Sequence, residues 1–164
     1  MGASLTIEGM GKFAGGPIKL SESHVRLGYF RDTYNEYGLF SVMTNTLGKT
    51  FSWWITNDRE DLFENDMKMT PKGCKKYRED LFEDDMKMTP EGCKKYWNEM
   101  KPNIRLFLRA KKYYRYNDHP IDGEKDKYLI RRPKEIEEIK DHALLFDRFF
   151  TYACQLGKPI YWSV

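Results

Sequence analysis

Hydrophobic and polar residues in the first third of the chain follow the pattern of short β-strands. Val25–Phe30 and Gly38–Met43 are rich in β-branched and aromatic residues, which are common in strands. The polar segment Asp32–Tyr37 lies between them and is typical of a turn, so the pattern predicts a β-hairpin. Further strands are predicted at Ser4–Glu8, Ile18–Leu20 and Thr50–Thr56. Because short connections favour antiparallel neighbours, we expect residues 1–57 to be mainly β, in an antiparallel meander of about three to five strands.

The spacing of apolar residues changes from strand to helix after residue 57. Thr70-Pro71 and Thr89-Pro90 are strong helix starts, because threonine caps the first turn and proline fits the first helical position. The pattern in residues 58–116 predicts four helices. They cover residues 58–68, 71–87 and 90–100, and the stretch from Pro102 to about Tyr116.

The last third of the chain holds the clearest helical pattern. Apolar residues recur every three or four positions over Ile136–Ala153, which is the period of an amphipathic helix. Pro133 is a good first residue for this helix and Gly157 a good stop. The sequence therefore predicts a long helix over residues 133–157.

Two shorter segments complete the prediction. Residues 117–132 are predicted to be a polar loop with a short strand around Tyr128–Ile130, and residues 158–164 to be a terminal strand. The fold class is therefore expected to be α+β in a single domain, residues 1–164. An N-terminal antiparallel β-meander would pack against about four to five helices.

A tandem repeat occupies the centre of the chain. Residues 59–77 and 78–96 differ at only two of nineteen positions, which indicates a recent duplication or one made by design. The differences are Asn65 against Asp84 and Lys72 against Glu91. A continuous helix would turn by about 100° from one copy to the next, so the apolar faces of the copies would not align. We therefore expect each copy to be one helical segment plus a turn, and the duplication to have added a scaffold helix.

Composition is typical of a packed globular protein. The chain has 164 residues, of which 15% are aromatic, enough for a real hydrophobic core. No apolar run reaches the roughly 20 residues of a membrane span, and no signal-peptide pattern opens the chain. We expect a cytoplasmic protein that does not contact a membrane.

The three cysteines give no metal-binding pattern. Cys74 and Cys93 are equivalent positions of the repeat, and Cys154 stands alone near the C-terminus. An odd number of cysteines without CxxC spacing favours reduced thiols in a cytosolic compartment. A Cys74–Cys93 disulfide is the alternative. Cys154 lies among aromatic residues, so it is predicted to be a buried, unreactive thiol.

Charge is concentrated after the repeat. Residues 101–134 hold eleven Lys or Arg against four Asp or Glu. Such cations release counterions from a phosphate backbone, and interleaved aromatic rings stack on exposed bases. The candidate residues for binding nucleic acid or a partner are Arg105, Arg109, Lys111, Lys112, Tyr113, Tyr114, Arg115 and Tyr116. The alternative is the solvated face of an amphipathic helix.

Aromatic residues of the predicted sheet form a second candidate surface. Trp53 and Trp54 are consecutive, so on a strand their side chains point to opposite faces and one faces outward unless it is covered. Tyr34 and Tyr37 lie in the predicted turn nearby. Trp and Tyr are common in protein-binding hot spots, so this surface indicates a protein partner.

Signatures of catalysis are absent from the sequence. It contains no G-x-S-x-G, P-loop or G-x-G-x-x-G motif. Asp118-His119 resembles the start of an HNH nuclease metal site, but no asparagine follows Asn117 to complete that motif. The acidic residues of the repeat lack EF-hand spacing. We therefore expect no metal site, cofactor or catalytic residue.

These observations favour a small non-enzymatic binding protein. It would engage nucleic acid or a nucleic-acid-handling complex through the basic aromatic segment. The alternatives are a protein–protein inhibitor or immunity-type module that uses the sheet aromatics, and a metal-dependent nuclease around Asp118 and His119. In size, composition and lack of catalytic motifs, the chain resembles small accessory proteins of phages and mobile elements that bind and block a host factor. The sequence does not indicate an oligomeric state.

Overall fold

The structure, a computed structural model, describes residues 2–10, 28–33, 37–49, 63–64, 68–69, 87–116 and 127–163. The strands are β1 (Gly2–Ile7), β2 (Tyr29–Thr33), β3 (Phe63–Glu64), β4 (Lys68–Met69), β5 (Lys87–Met88), β6 (Tyr114–Tyr116), β7 (Lys127–Leu129) and β8 (Ile160–Ser163). The helices are α1 (Leu39–Leu47), α2 (Pro90–Leu108) and α3 (Pro133–Leu156). This mixture of helices and antiparallel strands confirms the predicted α+β class. The predicted number of helices is not reached among the described residues.

The main sheet joins the two ends of the chain. Its four antiparallel strands lie in the order β2-β1-β8-β5. In register, Leu5 lies between Phe30 and Trp162, and all three side chains are buried. The strand predicted at Ser4–Glu8 and the terminal strand are therefore confirmed. The predicted N-terminal meander is wrong in its connections, because the C-terminal strand β8 lies at the centre of the sheet.

Helix α1 replaces the second strand of the predicted hairpin. Gly38–Met43 was expected to be a strand, but a helix begins at Leu39. Gly38 supplies no side-chain cap. Instead the buried carboxylate of Asp32 accepts hydrogen bonds from the backbone N–H of Leu39 at 2.9 Å and of Phe40 at 3.4 Å. A capping group from a preceding strand thus satisfies amides that a short helix leaves free.

Helix α2 is a single helix where two were predicted. Thr89 caps it as expected, because its hydroxyl accepts a hydrogen bond from the Gly92 N–H at 3.0 Å. The predicted break at Pro102 is wrong, since this proline lies inside the helix. The buried residues are spaced three or four apart on both sides of Pro102. Burial of that continuous face offsets the cost of an internal proline, about 3 kcal/mol.

The helix predicted to reach Tyr116 ends early. Helix α2 stops at Leu108, and Tyr114–Tyr116 forms strand β6, paired with β7. The Tyr113 hydroxyl donates a hydrogen bond of 2.8 Å to the carbonyl of Phe107. That bond satisfies one of the carbonyls that a helix end leaves free and turns the chain out of the helix.

The described residues of the repeat do not form the helices predicted over residues 58–68 and 71–87. The helix predicted over residues 58–68 is wrong where the structure describes it, because β3 and β4 form an antiparallel pair there. Lys87, the last residue of the next predicted helix, lies in strand β5. The rest of residues 71–87 lies outside the described residues, as do the strands predicted at Ile18–Leu20 and Thr50–Thr56.

Helix α3 confirms the clearest sequence prediction. It spans Pro133–Leu156 and ends at Gly157 in the left-handed conformation. Its buried aromatic residues pack against α2, where Phe150 stacks on Trp97 with ring centroids 5.4 Å apart. The short strand predicted around Tyr128–Ile130 is also confirmed as β7. In the described part of the chain, no helix has the length and apolar character needed to cross a membrane.

Candidate nucleic-acid interface

The end of α2, the loop after it and the β6–β7 hairpin form a basic region. Residues 105–116 and 127–132 together hold eight Lys or Arg and no Asp or Glu. The exposed cations are Arg105, Arg109, Lys111, Lys112, Lys127, Arg131 and Arg132. We call these seven residues, together with the exposed Tyr128, the basic surface; it includes both faces of the β6–β7 pair, because Lys127 and Tyr128 are consecutive on β7.

Most cations of the basic surface have no acidic partner among the described residues. Arg132 lies 3.7 Å from Glu135. The other six form no ion pair with any carboxylate of the described residues. Within the described residues this region therefore carries one sign of charge, and such a region attracts a polyanion.

The hairpin places residues on this surface that sequence reasoning missed. The pairing of Tyr114 with Leu129 continues in a hydrogen bond of 2.8 Å from the Ile130 N–H to the Tyr113 carbonyl. The chain leaving β7 therefore runs back alongside the loop at Lys111 and Lys112. Lys127, Tyr128, Arg131 and Arg132 join the basic surface in this way. Their charge was visible in the sequence, but their register across residues 117–126 was not.

Tyr113 is not available for stacking on a base. It is 2% exposed, and its ring lies edge-on to Phe107 with centroids 5.1 Å apart. Burial raises the pKa of its hydroxyl. The interpretation of Tyr113 as a binding residue is therefore not supported, because the side chain closes the end of α2.

The neighbouring aromatic residues are placed differently. Tyr114 is partly buried, and its backbone N–H donates a hydrogen bond of 3.1 Å to the Thr46 hydroxyl of α1. The side chain of Tyr116 lies outside what the structure describes. Tyr128 is 55% exposed, so a base could reach its ring.

Arg115 belongs to a network with Glu135 and Tyr37, and Glu135 also contacts Arg132 of the basic surface. Its guanidinium lies 3.5 Å from Glu135 and 3.9 Å from the centroid of the Tyr37 ring. Only 14% of its side chain is exposed. Arg115 is therefore a structural cation that holds the hairpin against α3, and the expectation that it contacts phosphate is not supported by its position.

A cavity of about 370 Å³ lies beside Arg115, between β2, α1, β6 and α3. Asp32 and His142 form its inner wall, with His142 Nε2 lying 3.3 Å from Asp32 Oδ1. The ring of His142 also stacks on Phe30 with centroids 4.9 Å apart.

No pattern in the sequence connects Asp32 with His142. In the structure, Asp32 occupies a buried position of β2, where the alternation of the strand favours an apolar residue. An inward acid requires a partner, because burying an unpaired charge is costly. Here the partners are the first amides of α1 and His142, so the pair is explained by structure alone.

The second predicted surface is described only in part. Tyr37 is 56% exposed and covers Arg115. Tyr34, Trp53 and Trp54 lie outside the described residues. Asp118 and His119 of the nuclease alternative do so too. Among the residues that are described, no three His, Cys, Asp or Glu side chains are placed to hold a metal ion.

Comparison with known proteins adds no further indication of function. No protein-family model, no curated protein and no solved structure matches the chain.

Proposed function

We propose that the protein is a non-enzymatic binding protein that engages single-stranded nucleic acid through the basic surface. The observation that carries this proposal is the group of six exposed cations that form no ion pair with a described carboxylate. Ordinary protein surfaces mix both signs of charge, so a region of one sign is typical of a surface that meets a polyanion.

The arrangement suits a phosphate backbone. Arg105 and Arg109 are one helical turn apart at the end of α2, and Lys111 and Lys112 follow in the loop. Each phosphate that these cations neutralise releases a condensed counterion, which makes binding favourable at low salt. Affinity should therefore fall steeply as salt is added.

Tyr128 supplies the component that favours single strands. Its ring is more than half exposed on the same hairpin as Lys127. Unpaired bases can stack on such a ring, and each stacked base contributes about 1–3 kcal/mol. The exposed Leu106 lies beside Arg105 on α2 and provides further apolar surface for a base.

The test is fluorescence anisotropy of a labelled single-stranded oligonucleotide across a salt series. With about five phosphates neutralised, the logarithm of the association constant should fall with the logarithm of salt at a slope near −3.5. Lys111→Glu/Lys112→Glu should abolish measurable binding at low salt. The matched control is Lys94→Glu/Lys158→Glu, which changes net charge equally outside the basic surface, in the first turns of α2 and just after α3. It should keep most of the affinity.

Four results would overturn the proposal. One is an affinity that does not depend on salt, and another is an equal loss in both double variants. A third is a salt-resistant complex with a protein that is lost on Tyr37→Ala, which would favour the protein-interaction module. Divalent-metal-dependent cleavage of the oligonucleotide would show that the protein is a nuclease.

A further inference from the structure

Two cysteine side chains meet between α2 and α3. The Sγ atoms of Cys93 and Cys154 are 3.4 Å apart, although 61 residues separate them in sequence. Cys93 lies in the first turns of α2 and Cys154 in the last turn of α3. Both are free thiols. Cys154 was predicted to be a buried, unreactive thiol, but it is only partly buried and it contacts a second thiol.

The two thiols have different surroundings. Cys93 is fully buried, whereas Cys154 is partly exposed. The hydrogen bond with Cys93 lowers the pKa of Cys154, and the charges of Lys94 and Lys101 lower it further. The same hydrogen bond and burial raise the pKa of Cys93. Either sulfur can donate in this contact, and the greater exposure of Cys154 together with the charges of Lys94 and Lys101 makes it the more acidic thiol of the pair.

We propose that Cys93 and Cys154 are a modification site at which a hydroperoxide forms a reversible disulfide that locks α2 to α3. This inference does not depend on nucleic-acid binding. A thiolate is the nucleophile in such chemistry, so the accessible Cys154 attacks and the buried Cys93 resolves. The sulfurs must approach from van der Waals contact to about 2.05 Å, which rotation about the side-chain bonds and a small shift of the helices provide.

The reaction balances with one hydroperoxide for each disulfide. The Cys154 thiolate attacks the terminal peroxide oxygen, forming an S–O bond as the O–O bond breaks. The leaving alkoxide takes a proton and departs as an alcohol, or as water from hydrogen peroxide. Cys93 then loses its proton and attacks the Cys154 sulfur, forming the S–S bond as the S–O bond breaks and water leaves. The two thiols are oxidised by two electrons, and a dithiol reductant reverses the step by exchange.

The repeat provides a matched control within the chain. Cys74 stands in the sequence TPKGCKKY and Cys93 in TPEGCKKY, so their local sequences are almost the same. Only Cys93 is placed against Cys154 in the described residues. If local sequence alone decided reactivity, Cys74 and Cys93 would be oxidised to the same degree.

The experiment compares Cys74→Ser, Cys93→Ser and Cys154→Ser after treatment of the reduced proteins with hydrogen peroxide. Intact mass should show the loss of two hydrogens in Cys74→Ser only, and peptide mapping should identify a Cys93–Cys154 link. That protein should melt at a higher temperature after oxidation, and dithiothreitol should restore the original midpoint. In Cys93→Ser, a sulfenic acid should accumulate on Cys154, where a dimedone adduct reports it.

The Cys74→Ser protein decides the question even if a core variant fails to fold, because it retains both proposed partners. Absence of the intramolecular link in that folded protein would overturn the proposal. A Cys74–Cys93 or Cys74–Cys154 link as the main product of the wild-type chain would also overturn it. Dimedone labelling of Cys93 rather than Cys154 would reverse the assigned roles.

Discussion

The two copies of the repeat have nearly the same sequence but different places in the fold. Lys68–Met69 and Lys87–Met88 are equivalent positions, and both are strands. The first pairs with Phe63–Glu64 of its own copy. The second pairs with β8 of the main sheet. Local sequence thus favours a strand in both copies, but it does not decide which partner the strand finds.

The residues that follow each copy explain why only the second copy continues into a helix of the core. Tyr96 is followed by Trp97, and both lie on the face of α2 that continues to Met100 in the core. Tyr77 is followed by the charged residues Arg78-Glu79-Asp80. A helix that begins at the second Thr-Pro pair can therefore extend an apolar face over its whole length, and burial of that face stabilises it.

Among equivalent substitutions in the two copies, we expect the largest difference in lost stability at the tyrosine. Tyr96 is fully buried and packs on Phe150 and Trp162 with ring centroids 5.0 and 5.4 Å away. Tyr96→Ala should lower the free energy of unfolding by about 3–5 kcal/mol, as other large aromatic deletions in cores do. Tyr77→Ala should cost less than about 1 kcal/mol. Urea denaturation of both variants measures the difference, and equal losses would show that both copies contribute to the core.

We expect a smaller difference in lost stability when the threonine of each Thr-Pro pair is replaced. The Thr89 hydroxyl caps α2, so Thr89→Ala should destabilise the protein by about 1 kcal/mol. Thr70→Ala removes the same side chain from the first copy and should have less effect. Thr89→Ser retains the hydroxyl and is the control. A larger loss in Thr70→Ala than in Thr89→Ala would mean that the first copy holds the more stable helix.

We expect the smallest difference in stability between two chains that each lack one copy of the repeat. Removing residues 59–77 or 78–96 leaves chains that differ at only two positions, and we expect both to fold because either copy can then precede Trp97. After the second deletion Lys72 takes the place of Glu91 in the first turn of α2. An acid is favoured there by the helix dipole, so that chain should be less stable by about 0.5 kcal/mol. Thermal unfolding followed by circular dichroism compares them, and failure of both chains to fold would contradict the account.

Helices with complete local signals could be predicted from the sequence. Helix α3 has its first proline, its apolar period and its final glycine within residues 133–157. Helix α1 has no cap of its own, because the capping carboxylate comes from Asp32 on a neighbouring strand. Its apolar residues Leu39, Phe40 and Met43 also suited a strand. Contacts of this kind form only in the tertiary structure, so the sequence alone did not reveal them.

The candidate site shows the same difference between local sequence signals and contacts that form only in the tertiary structure. The cations near the end of α2 could be named from the sequence because charge is a property of residue type. Tyr113 was assigned to binding on the same ground, but its hydroxyl reaches back to the Phe107 carbonyl and its ring enters the core. Tyr128 reaches the surface through a hairpin pairing across a loop, which no local pattern encodes.

The central claim is that the second copy is a core element and that nucleic acid binds outside the repeat. The most direct test is the salt dependence of single-strand binding by the chain lacking residues 59–77. This deletion removes five Lys or Arg and four Asp or Glu, so the net charge falls by only one and the basic surface is intact. The account predicts a folded protein whose affinity and salt slope match those of the full chain. Loss of binding by the folded deletion protein, or no binding by either chain at low salt, would contradict it.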